Sequence, residues 1–131
     1  MTDLPPSLED FDALARDAWA SLPAAFRTLA GDVLIRVEDW AEDAILDGME
    51  IEDPYELTGL YVGVDLTQRS IADPAPQAAM VFLYRRAILD EWIAHGDVPL
   101  AHLVAHVLVH EIGHHFGLSD EQMDALLEEA G

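Results

Sequence analysis

The sequence predicts an α+β domain with a small sheet packed on helices. Three observations predict it. Segments with helical apolar spacing dominate both ends of the chain, short β-branched and aromatic runs fall between them, and prolines, glycines or capping residues mark most of the changes of type. At 131 residues and 51% hydrophobic content, the chain can bury one sizeable core, so residues 1–131 are expected to form a single domain.

Ser7 followed by Asp10 forms a capping pattern, and Leu8, Phe11, Leu14, Ala15, Ala18 and Trp19 recur at helical spacing. A helix is therefore expected over residues 7–21, with Pro23 ending it. A short second helix over 24–30 should stop at Gly31, and Val33, Leu34, Ile35, Arg36 and Val37 read as a strand. A short helix is expected over 40–49, then a turn at Asp53 and Pro54. Residues 57–64 are strand-like, but Gly59 and Gly63 favour a short or irregular strand. Residues 65–78, with Pro74 and Pro76, read as a long loop. Residues 80–84 give the clearest strand. Helices follow over 86–94, closed by Gly96, then over 98–116 and 119–130.

Composition narrows the function. The chain has no cysteine, so disulfides and thiolate metal sites are excluded, and any metal must be held by histidine, carboxylate, carbonyl or water. Six arginines and no lysine face 26 acids, a net charge of -20 that repels phosphate backbones and anionic lipid. No nucleic-acid or membrane partner is expected. There is no basic segment leading into an apolar run at the start, and no apolar stretch long enough to span a bilayer; the expected location is cytoplasmic.

All six histidines lie between residues 95 and 115, four of them at 102, 106, 110 and 114. The segment His110-Glu111-Ile112-Gly113-His114 is H-E-x-x-H, and on a helix its two histidines lie about 40° apart, one turn removed. Both can reach one ion. Zinc suits two imidazoles and a carboxylate with a fourth position open, where it lowers the pKa of water to about 7. Glu111, rotated to the side of the pair, is placed to take that proton as general base. His102 and His106 lack such a glutamate and read as packing, supporting or surface residues. Gly117 should end the helix in a left-handed turn, with Leu118 packing back near Ile112. That reversal can return Asp120 to the metal as third ligand. Asp120 is equally an acid in the first turn of a helix capped by Ser119 and Gln122.

The full pattern from His110 to Asp120, H-E-x-x-H-x-x-G-x-x-D, is similar to the H-E-x-x-H-x-x-G-x-x-H of metzincin peptidases, and to the snapalysin-like branch that has aspartate at the third ligand position. Residues 57–66, the run Phe-Leu-Tyr-Arg-Arg-Ala-Ile-Leu at 82–89 and residues 110–120 resemble a small bacterial family of zincin-like, zinc-dependent metallopeptidases. The resemblance covers roughly half the chain. It implies a minimal zincin-like fold and a candidate zinc-dependent peptidase, which agrees with zinc on His110, His114 and Asp120, and a peptide or protein substrate is expected. The chain departs from the larger metzincins: only residues 121–131 follow Asp120, and Met123 is expected to pack in the core instead of forming a methionine turn. Without a recognisable secretion signal or propeptide, narrow specificity or low activity is expected.

The leading expectation is peptide-bond hydrolysis, with a substrate strand pairing on an exposed edge at 80–84 and Tyr84 or His115 as an oxyanion donor. A catalytically silent metal- or peptide-binding module of the same fold is the alternative. A phosphoester hydrolase ranks third, because the charge disfavours RNA and such sites tend to lack the glutamate.

Overall fold

The computed structural model describes residues 5–31, 33–62 and 79–130. Its elements run α1 (Leu8–Ser21), α2 (Ala24–Ala30), β1 (Val33–Glu38), α3 (Asp43–Gly48), a 3-10 turn (Pro54–Glu56), β2 (Gly59–Val62), β3 (Ala79–Tyr84), α4 (Arg85–His95), α5 (Leu100–His115) and α6 (Asp120–Ala130). This is the expected order and the expected α+β class. Gly63 and the loop expected over 65–78 lie outside the described residues.

Local chemistry sets most boundaries. At α1 the Asp10 N–H donates to Ser7 Oγ at 3.1 Å, and the Ser7 N–H donates to the Asp10 carboxylate at 2.9 Å, satisfying two donors that a helix start leaves free. Phe11 and Ala15 then face the core. The helix expected over 40–49 begins only at Asp43. Tertiary contacts hold Trp40 outside it: the Trp40 ring meets Tyr55 edge-on at 4.8 Å, and the Arg86 guanidinium lies 5.8 Å from its centroid.

The sheet is mixed, in the order β1-β3-β2, with β1 parallel and β2 antiparallel to β3. β3 is therefore central, and the expectation of an exposed substrate edge at 80–84 is corrected. The reason is in the sequence: five consecutive apolar residues suit a strand covered on both faces and paired on both sides. Val81 and Leu83 are fully buried, facing α5, and Tyr84 is buried on the opposite face.

Pairing puts Val33, Ile35, Val37, Val81, Leu83, Gly59 and Tyr61 on one face. Across it runs α5, whose Leu103, Val104, Val107, Leu108, Val109 and Ile112 join Phe11, Phe26, Met123 and Leu127 in the main core. Each fully buried aliphatic side chain here contributes about 1.5–3 kcal/mol. The other face carries a smaller cluster of Ala41, Leu46, Leu57, Tyr84 and Ala87, against which Leu60 and Phe82 pack. No described helix is long and apolar enough to cross a membrane.

Candidate metal centre

The helical repeat gives α5 two polar-bearing stripes beside its buried face. One, Val107, Glu111 and His115, looks at β2. The contact is close because residue 59 has no side chain: a Cβ there would lie 2.8 Å from Val107 Cγ1, 3.0 Å from Glu111 Cγ and 3.2 Å from the Phe82 carbonyl oxygen. Gly59 thus marks close approach of strand and helix. Two residues on, the Tyr61 ring lies over His115 at 4.1 Å.

The second stripe is His102, His106, His110 and His114. It ends at a tight reversal. Gly117 has φ of 74°, the Leu118 N–H donates to the Gly113 carbonyl at 2.9 Å, and the Gly117 N–H donates to that of His114 at 3.2 Å. These two bonds satisfy carbonyls the helix end would otherwise leave open. Leu118 packs against the core cluster that contains Ile112. The next helix is capped as expected, with the Ser119 N–H donating to Gln122 at 2.8 Å and the Gln122 N–H to Ser119 Oγ at 3.1 Å. Asp120 is its first residue. Fully buried Met123 packs under the reversal: a Cβ on Gly113 would lie 2.5 Å from its sulfur.

The reversal brings the three expected ligands together. Donor atoms of His110, His114 and Asp120 lie within 4.8 Å of one another, with His114 Nε2 3.9 Å from Asp120 Oδ1. Tetrahedral zinc, with bonds of about 2.0 Å, holds its donors roughly 3.3 Å apart, so a small inward movement closes the set. Capping by Ser119 and convergence of Asp120 coexist; the two readings of Asp120 were not exclusive. The donor set also fits a metal on a separate ground. Among the described residues His110 Nε2 is buried without a hydrogen-bond partner, a costly state for a polar atom that a cation would relieve. His114 and Asp120 are exposed, which leaves an entry path.

Glu111 stands beside this trio and outside it. Burial raises its carboxyl pKa, while His114 and a backbone hydrogen bond from Tyr61 pull it down. His106 stacks on His110 at 4.1 Å; burial first, then His110 and His102, lower its pKa, against Glu91 and Asp124. Of the two oxyanion candidates, Tyr84 is buried in the smaller cluster, its hydroxyl unpartnered among the described residues. Its pKa is pushed up to about 12 by burial and then by Glu38, Glu42 and Glu111. His115 is exposed at the surface, its ring against Tyr61.

A helix bearing two histidines a turn apart, packed beneath a small mixed sheet, defines the zincin class of metalloproteins. Within it the zincin-like metallopeptidase family model matches residues 30–130, well over half the chain, and the chain belongs to that family. Membership implies a bound metal. No match was found among curated proteins.

Proposed function

We propose that the protein is a zinc-dependent peptidase in which His110, His114 and Asp120 hold the metal and Glu111 is the general base. The observation that carries this reading is the convergence of those three donors with a half-buried glutamate left free beside them. When bound, zinc supplies Lewis acidity at one open position. Glu111 takes a proton from the attacking water and returns it to the leaving amine, a task that a carboxyl raised by burial performs closer to neutral pH.

β2, an edge of the sheet among the described residues, is the docking strand in this proposal, replacing β3. The Tyr84 N–H donates to the Thr58 carbonyl, so alternation turns the peptide groups of Gly59 and Tyr61 away from β3, and the backbone of Tyr61 donates to Glu111. An extended peptide paired there would cross the site. The charge of -20 favours basic or neutral peptides, with neither nucleic acid nor membrane as partner. A chain without cysteine suits a reducing compartment, and we place the activity in the cytoplasm.

Zinc-loaded protein incubated with a peptide library, with products read by mass spectrometry, tests the proposal. The wild type should cut and Glu111→Gln should bind zinc without cutting. Equal cleavage by the variant refutes the role of Glu111, and peptide binding without cleavage by the wild type favours a silent binding module.

A further inference from the structure

The motif sets His110 and His114 apart from the rest of the α5 histidine stripe, and the ring planes show how His106 stands toward them. An imidazole nitrogen offers its lone pair in the plane of its ring, so two rings share an ion only where their planes meet. The planes of His110 and His114 stand 79° apart with centroids 5.5 Å apart, and they meet close to both rings. His106 lies over His110 at 4.1 Å with planes only 28° apart, and near-parallel planes do not meet between the rings. His106 in this orientation is no co-ligand with His110. What it does is cover one face of that ring.

We propose that His106 is a positioning residue, whose ring stacks on His110 and holds that imidazole with Nε2 directed at the shared metal. The inference rests on the reading of His110 as a ligand. Among the described residues no hydrogen bond at His110 Nε2 fixes the ring, and the stacked face supplies the constraint. His106 is itself wedged in place. It is half-buried, between His102 and His110 on its own helix, with Glu91 of α4 and Asp124 of α6 as its charged surroundings. A ligand ring already oriented loses less freedom when it binds, so the stack raises metal affinity without touching the metal.

The test compares full-length wild type, His106→Ala and His106→Phe by zinc titration against a chromophoric chelator and by the visible absorption of the cobalt-substituted site. His106→Ala should weaken zinc about tenfold, the size that loss of one ring–ring contact permits, and shift the cobalt bands. His106→Phe, which keeps a flat ring and removes both nitrogens, should restore both. Unchanged affinity in His106→Ala overturns the proposal. Equal weakening in both variants also overturns it, because a nitrogen and not a ring face would then be required. Should the wild type bind no zinc, the metal reading itself fails, and NMR of the His110 ring in metal-free protein still decides the stacking claim. One ring orientation in the wild type that becomes averaged in His106→Ala supports it; identical spectra overturn it.

Discussion

Replacing Gly59 by alanine puts a methyl group where β2 and α5 already touch. The new carbon would sit 2.8 Å from Val107 Cγ1, 3.0 Å from Glu111 Cγ and 3.2 Å from a backbone oxygen of β3. Val107 is buried and β-branched, so it has few rotamers into which to withdraw. Overpacking of this kind costs about 1–3 kcal/mol, and alanine recovers roughly 0.5–1 kcal/mol of backbone entropy relative to glycine. A net loss of about 1–2 kcal/mol is predicted. For a chain of 131 residues, unfolding entropy makes that about 4–7 °C in Tm. The informative assay is a double-mutant cycle with Val107→Ala, measured by urea unfolding. Alanine at 59 should partly fill the space vacated at 107, giving a favourable coupling of about 1 kcal/mol. Peptidase activity should fall in Gly59→Ala and remain low in the double variant, because the Glu111 contact persists. Additive stabilities, or full activity in Gly59→Ala, would refute the claim that this glycine sets the distance between the edge strand and the base.

Two further predictions follow from the site and its surroundings. Asp120→Asn should weaken zinc by roughly 100-fold or more by calorimetry, since losing a ligand should exceed the effect of losing a supporting group, while the metal-free protein loses only the helix-start share of that carboxylate, about 0.3–1 kcal/mol; unchanged affinity would remove Asp120 from the metal. Tyr84 contributes to the alkaline limit. Its folded pKa of about 12 lies above the ordinary tyrosine value of 10, so its contribution to stability is intact below pH 10 and is lost as pH rises from there toward 12, the unfolded chain ionising first. The loss should reach roughly 2–3 kcal/mol between urea curves at pH 9 and at about pH 12, and Tyr84→Phe should lack that component while being no less stable at pH 7, because it removes an unpartnered buried hydroxyl. A wild type insensitive to this pH range would contradict the environment assigned to Tyr84.

Much of the fold was legible because it rests on local chemistry. The Ser7/Asp10 and Ser119/Gln122 boxes, and the glycine after α5, act within a few residues, and each falls within a residue or two of where the sequence put it. Strand order was not legible. The apolar run of β3 announces a strand, but its central place depends on two partners, one before α3 and one after it. The start of α3 was misjudged for a related reason: Trp40 is claimed by Tyr55 and Arg86, both distant in sequence. At the site, the spacing of His110, His114 and Asp120 indicated three residues that do converge. The glutamate after His110 separates the ligand pair from His102 and His106 in the sequence, but the stacking of His106 on His110 is not legible there, because i, i+4 spacing sets which side chains are neighbours and says nothing of how their rings turn. Gly59 carried a signal that was read only as weakening a strand. Its role depends on a helix some fifty residues later, which no local pattern records.

The most direct measurement of the central claim is anomalous diffraction at the zinc edge from crystals of the zinc-loaded protein. One strong peak is expected at about 2.0–2.2 Å from a nitrogen of His110, a nitrogen of His114 and a carboxylate oxygen of Asp120, with the Glu111 carboxylate outside bonding distance. A peak bonded instead to His102 or His106, or to Glu111, or no peak at this helix end, would contradict it.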